Sequence, residues 1–125
     1  MQDGTRDNNY IARDTVEIFQ SQANDVADIR LTLWTDSTFN FYLRTLPQPM
    51  SNEEETVVRS TGIWTKEPTM TRLIFLKDRP IINAVFDESY DKKNSFTVIN
   101  DSTVDINSNA NEIWIWGVSC LKKQY

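Results

Sequence analysis

Five acidic residues are the chain's best candidates for acid-base or metal chemistry. Asp87, Glu88 and Asp91 lie within five positions of one another, and Asp101 and Asp105 lie at the second hairpin that the sequence predicts, around the turn 100–102. A general acid and base would need two such carboxylates held about 5 to 9.5 Å apart in a cleft, with separated pKa values. The same oxygens could bind calcium, but the Asp-x-Asp-x-Asp-Gly order of a dedicated loop is missing. We therefore interpret these acids as solvated loop residues and predict no catalytic residue and no metal site.

The chain contains no histidine. This excludes Ser-His-Asp and Cys-His catalysis, histidine-ligated zinc, and the side chain best suited to proton transfer near neutral pH. The three glycines are far apart, so no glycine-rich phosphate loop exists. Cys120 is the single cysteine, which excludes an internal disulfide, and we expect it to be a small buried apolar side chain. These features favour a protein that is not an enzyme and needs no cofactor.

Four tryptophans are many for a chain of 125 residues. We expect Trp64 in the core, because an indole has the largest area to bury. Trp114 and Trp116 alternate with isoleucines in the final apolar stretch, so both faces of that stretch are apolar. Either a neighbouring segment covers the second face, or the indoles line a ligand cavity or a partner surface. The residues predicted for such a ligand or partner surface are Trp114, Trp116, Trp34 and Tyr42.

Short β-strands are the elements that would position these residues. Apolar and polar residues alternate on both sides of the polar turn 36–38, which indicates a hairpin, and the alternation resumes after a polar loop. The predicted strands are 28–34, 39–43, 56–66, 71–77, 81–86, 95–99, 103–106 and 112–122. The last of these is predicted to carry Ile113, Ile115 and Gly117 on one side and Trp114, Trp116, Val118 and Cys120 on the other.

Residues 13–20 fit two structures. As a helix, the segment could begin at Asp14 with Glu17 three residues later, and apolar residues recur at helical spacing. As a strand, Val16 and Ile18 alternate with polar neighbours, and the β-branched content is high. We favour the strand, because every later element is β and the strand at 28–34 would otherwise lack a partner.

Eight or nine short strands without a confident long helix indicate an all-β fold, an antiparallel meander. A barrel is favoured over an open sheet, because pairing the first and last strands removes exposed edges. Hydrophobic residues make up 39% and charged residues 25%, which is typical of a globular domain. We predict a single domain over residues 10–125, preceded by a polar, disordered arm at residues 1–9.

Charge and hydropathy limit the partners. The net charge of −5 and a pI near 4.6 argue against nucleic-acid binding, which depends on clustered Lys and Arg. No apolar run approaches the roughly 20 residues of a transmembrane helix. Residues 46–55 contain two prolines and three adjacent acids, so we expect them to form an exposed connection.

Four short motifs carry a resemblance. They are Leu31-Thr32-Leu33, Asp36-Ser37-Thr38-Phe39, Thr61-Gly62-Ile63-Trp64 and Leu73-Ile74-Phe75-Leu76. Their order over residues 15–106 resembles the small lipocalin-like β-barrels of bacterial envelope lipoproteins, of which the N-terminal domain of the copper-resistance lipoprotein is one example. The resemblance implies a lipocalin-like meander barrel, export to the periplasm or tethering to the outer membrane, and a lipid anchor on an upstream cysteine. That example has a Cys-x-x-Cys pair where this chain has residues 24–27 without cysteine, so its metal or redox role does not transfer.

Two functional hypotheses follow. In the first, the protein is a non-enzymatic, envelope-associated barrel that binds a lipophilic small molecule or an envelope protein, which requires a cavity of a few hundred Å³ or an apolar patch. In the second, it is a structural or assembly component of an envelope complex or a homodimer, with a solid core and no ligand. Under this second hypothesis, the contact elements would be residues 47–55 and the last strand.

Overall fold

A computed structural model describes residues 14–90 and 94–124, so the predicted arm at residues 1–9 lies outside the described residues. The described part forms nine strands, a short helix and a 3-10 turn at Glu88–Tyr90. The elements are β1 (Thr15–Ser21), β2 (Ala27–Trp34), β3 (Thr38–Thr45), β4 (Val57–Lys66), β5 (Met70–Lys77), α1 (Ile82–Val85), β6 (Phe96–Val98), β7 (Thr103–Asn107), β8 (Glu112–Ile115) and β9 (Val118–Gln124). No helix in these two ranges has the length and apolar character needed to cross a membrane.

The strands form one sheet that curls into a nearly closed barrel. Their order is β6-β7-β5-β4-β3-β2-β1-β9-β8, and every neighbouring pair is antiparallel. The prediction of an all-β antiparallel meander barrel is confirmed. The first and last strands pair as expected, with Phe19 opposite Lys122. The strand interpretation of residues 13–20 is also correct where the structure describes them, because β1 pairs with β2 through Phe19 and Leu31.

Phenylalanine rings fill the barrel interior. In β2, Ile29, Leu31 and Leu33 are buried at alternate positions, as the period of two requires, and Thr32 between the two leucines is buried as well. Five rings from β3, β5, β6 and the segment after α1 meet one another with centroids 4.9 to 6.0 Å apart, mostly edge to face. These rings belong to Phe39, Phe41, Phe75, Phe86 and Phe96, none more than 3% exposed. The core is therefore solid where these rings meet.

The predicted strand at 81–86 is wrong, because this segment contains helix α1. Its buried side chains are Ile82, Val85 and Phe86, which follow the i, i+3, i+4 spacing of one helical face. A short apolar run of this length fits either a strand or one helical turn by its pattern alone. The helical turn directs all three side chains into the core at a place where the sheet does not continue.

The predicted single strand at 112–122 is also wrong, because the chain reverses at Trp116 and Gly117 to form the β8–β9 hairpin. Both turn residues have positive φ, 56° and 70°, as a two-residue type I′ turn requires. Because the chain reverses at 116–117, the inward and outward positions of β9 no longer continue those of β8. The predicted assignment of side chains to the two faces of one strand is therefore wrong too. The side chains that share the barrel interior are those of Ile113, Ile115, Val118 and Cys120.

The two edge strands of this sheet cannot join each other by an antiparallel ladder. Nine strands that alternate in direction leave β6 and β8 running the same way. The segment from α1 to the 3-10 turn contacts β6 and the turn that follows β8: the Val98 N–H donates to the Glu88 carboxylate at 3.0 Å, and the Trp116 N–H donates to the Val85 carbonyl at 2.8 Å. The Tyr90 ring lies against Gly117. We call residues 82–90 the seam segment, since they contact the edge of β6, which would otherwise be open to other chains, and the β8–β9 turn.

Candidate functional site

A groove of about 310 Å³ lies at one end of the barrel, where the β1–β2 loop, the β3–β4 loop and the β8–β9 turn meet. Its apolar lining comes from Val26, Leu46, Pro47 and Trp116, and its acidic lining comes from Asp25, Glu53 and Glu54. The remaining lining residues are Thr45, Gln48 and Thr56. The groove therefore combines apolar surface with carboxylates, as binding sites for amphipathic ligands do.

Hydrogen bonds hold the first two loops together. The side-chain oxygen of Asn24 accepts from the N–H groups of Val26 and Ala27 at 2.7 and 2.9 Å, which fixes the β1–β2 loop. The Leu46 N–H then donates to the Val26 carbonyl at 2.9 Å. The Gln48 side chain donates to the Asp25 carbonyl, also at 2.9 Å. Two walls of the groove are thus formed before any partner binds.

Trp116 forms the third wall and has an unusual backbone. Its φ of 56° is left-handed, a region where a bulky side chain is a genuine outlier, and Asn or Gly normally occupies this position of a type I′ turn. Such a conformation costs on the order of 1 to 3 kcal/mol. Trp116 nevertheless remains 39% exposed and lines the groove. Strained residues of this kind are concentrated at functional sites, so Trp116 is the strongest single candidate in the described part of the chain.

The charges that described residues bring to the groove are of one sign. Of the lining residues that the structure describes, three are acidic and none is basic. Glu55, the next acid along the chain, points elsewhere and pairs with Arg44 at 3.2 Å. Across residues 14–90 and 94–124, no Lys or Arg lies within ion-pair distance of Asp25, Glu53 or Glu54. Glu53 accepts a hydrogen bond from the Ser51 hydroxyl at 3.2 Å.

Only one of the predicted surface residues lines this groove. Trp114 lies half-buried on the outer face of β8, opposite Ser119. Tyr42 lies on the outer face of β3, between Arg30 of β2 and Arg59 of β4. The Arg59 guanidinium is 5.2 Å from the centre of its ring. Trp116 is therefore brought together with the 46–55 loop, while Trp114 and Tyr42 lie on other surfaces.

Trp34 lies at the opposite end of the barrel from the groove, at the end of β2. Its indole N–H donates to the Asn40 side chain at 2.6 Å, and its carbonyl accepts from the indole N–H of Trp64 at 2.9 Å. Trp64 is half-buried and packs against the core, close to its predicted position. Both indoles thus have structural partners at this end.

The carboxylates considered for catalysis make local structural contacts. Hydrogen bonding from the Ser89 side chain and backbone lowers the pKa of Asp87. Asp105 accepts two hydrogen bonds from the Arg72 guanidinium at 2.8 and 3.0 Å, and Glu88 caps the edge of β6. Asp91 lies outside the described residues. In the described ranges, no three His, Cys, Asp or Glu side chains come together as a metal site.

Cys120 lies in the core, and burial raises the pKa of its thiol to about 12. A thiol with this pKa is protonated at neutral pH and therefore not nucleophilic. The groove itself was missed as a site by sequence reasoning, although residues 47–55 were predicted as a contact element. No protein-family model, curated protein or solved structure matches this chain.

Proposed function

We propose that this protein is a non-enzymatic binding module that docks a segment of a partner protein in the groove beside Trp116. The single observation that carries the proposal is Trp116 itself. A tryptophan that lines the groove is kept in a left-handed turn, at a cost to stability. Tryptophan is also enriched among the residues that dominate protein–protein binding energy.

The filled core favours a protein partner over a lipophilic ligand carried inside the barrel. An interior carrier needs a cavity of roughly 300 to 1,000 Å³ lined by apolar side chains. Here Phe41, Phe75 and Phe86 meet in that space with ring centroids within 6.0 Å of one another. Surface docking is compatible with such a core.

The assembly hypothesis shares this surface. It named residues 47–55 and the last strand as contact elements, and the groove is lined by Pro47, Glu53 and Glu54 together with the turn that precedes β9. In the assembly hypothesis the partner would be a larger envelope complex or a second copy of this chain. The envelope location is part of the proposal and is supported by the resemblance alone.

Photo-crosslinking in the source cells tests the proposal. A photoreactive phenylalanine analogue replaces Pro47, an exposed groove residue, and in a matched protein replaces Ile63, which is 39% exposed on the outer face of β4. We expect crosslinking to a discrete protein from position 47, loss of that product on Trp116→Ala, and no product from position 63. A crosslinked homodimer would identify the chain itself as partner. Equal products from both positions, or none from position 47, would contradict docking.

A further inference from the structure

The groove carries information about the chemistry of its occupant. Asp25 comes from the β1–β2 loop and Glu53 and Glu54 from the β3–β4 loop, so two separate segments contribute carboxylates to one hollow. No described Lys or Arg neutralises them. An acidic segment bound here would meet like charges in a partly desolvated site, which is unfavourable, whereas a basic segment would be attracted.

The indole of Trp116 adds a second, independent preference. A guanidinium or ammonium group is attracted to the face of an aromatic ring within about 6 Å, and tryptophan is the best such ring. The same molecule already shows this contact elsewhere, where Arg59 lies 5.2 Å from the ring centre of Tyr42. Trp116 has no cation of this kind among the described residues, although it is 39% exposed.

The apolar lining defines the rest of the occupant. Val26 is 46% exposed, and Leu46 and Pro47 extend the same surface. The methylene stems of Lys and Arg cover apolar surface while their charged ends reach carboxylates, so one basic side chain can satisfy both parts of the lining. A peptide with alternating basic and apolar residues would fill the groove fully.

We propose that the groove binds a basic segment of a partner protein, with one Lys or Arg side chain stacked on the Trp116 indole and directed at Asp25, Glu53 and Glu54. This inference rests on the proposed docking function and specifies the class of partner. It commits to a basic peptide; a neutral apolar peptide and an acidic peptide are outcomes of the test.

A random peptide library displayed on phage provides the probe, with the full chain as bait. Peptides are counted as groove-dependent when they bind the wild type but not Trp116→Ala. We expect these peptides to be enriched in Lys and Arg and depleted in Asp and Glu relative to the library. The variant Asp25→Asn, Glu53→Gln, Glu54→Gln should bind them more weakly by about two- to fivefold per carboxylate. Salt should weaken binding to the wild type more than to the variant.

A matched control removes the same charge elsewhere. Asp14→Asn, Glu67→Gln and Asp101→Asn neutralise three exposed acids outside the groove, and this protein should bind like the wild type. Trp116→Leu keeps an apolar wall but removes the aromatic face, and we expect it to discriminate less between basic and neutral peptides.

The outcomes separate the two proposals. Groove-dependent peptides without enrichment in Lys and Arg, or equal losses in the groove and control variants, would overturn the basic occupant and leave groove docking intact. Enrichment in Asp and Glu would also overturn the basic occupant, since it would show that the groove prefers acidic peptides. Failure to select any groove-dependent peptide would count against both proposals.

Discussion

The backbone N–H of Trp116 donates to the carbonyl oxygen of Val85 at 2.8 Å, which links the β8–β9 turn to helix α1. The same turn contributes Trp116 to the lining of the groove. The seam segment thus contacts the edge of β6 and also holds the backbone of a residue that lines the groove.

Because the backbone at Trp116 is left-handed, we expect a glycine at this position to give a more stable protein than an alanine, the reverse of the usual order. Both Trp116→Gly and Trp116→Ala remove the indole, but only glycine adopts a φ of 56° without strain. We expect the glycine variant to be more stable by about 1 kcal/mol, measured by urea denaturation.

A control at Ile63 shows the ordinary preference. Ile63 lies in β4 on the outer face, with the same 39% exposure as Trp116. There the alanine variant should be the more stable by about 0.5 to 1 kcal/mol, because glycine weakens a strand. Equal or greater stability of Trp116→Ala over Trp116→Gly would show that the turn is not left-handed in solution.

Glu88 protects the free edge of β6 through its hydrogen bond from the Val98 N–H. Replacement of Glu88 by alanine removes the acceptor and should increase the hydrogen-exchange rate of the Val98 amide by about tenfold or more, as measured by NMR. Exposed edges also promote association, so this variant should aggregate at lower concentration. Glu88→Gln keeps a carbonyl acceptor and should retain most of the protection. Unchanged exchange in the alanine variant would mean that another group protects this edge.

The barrel was predictable because its strands alternate cleanly. In β3, Phe39, Phe41 and Leu43 are buried while the residues between them are not, and a period of two specifies such a strand locally. The two errors occurred in segments 81–86 and 112–122, where apolar residues do not alternate regularly with polar ones. Around Trp116, apolar residues occupy successive positions and the turn lacks the Asn-Gly or Asp-Gly signal, so sequence reasoning extended one strand through a reversal.

The groove could not be predicted in the same way. Its walls come from Asp25, Pro47 and Trp116, which are separated by many residues and meet only after the sheet has curled. Local patterning gives the composition of each loop but not which loops share an end of the barrel. The sequence showed an exposed, acidic 46–55 loop and an unusual number of tryptophans, but it did not connect the two. Only the pairing of the nine strands places Trp116 beside that loop.

Gly62 permits close contact inside the barrel. A Cβ atom at this position would lie 2.0 Å from the carbonyl oxygen of Ile74 and 2.7 Å from the Phe39 ring, so backbone and ring would both have to move. We expect Gly62→Ala to lower the free energy of unfolding by about 3 kcal/mol, measured by urea denaturation. Thr61→Ala changes the neighbouring exposed residue and should cost less than about 1 kcal/mol. Similar effects of the two changes would mean that the interior is looser than these distances indicate.

The buried thiol of Cys120 makes stability depend on alkaline pH. Burial raises its pKa from 9.0 to about 12, so the folded state favours the protonated thiol. Its contribution is complete below pH 9.0 and is lost as the pH rises toward 12, because the unfolded chain releases the proton first. Wild-type stability should therefore fall faster than that of Cys120→Ala over this range, by up to about 1.4 kcal/mol per pH unit. Tyr and Lys residues titrate in both proteins, so the difference between their urea-denaturation curves isolates the thiol. Parallel curves from pH 8 to 11 would show that the thiol reaches solvent in the folded protein.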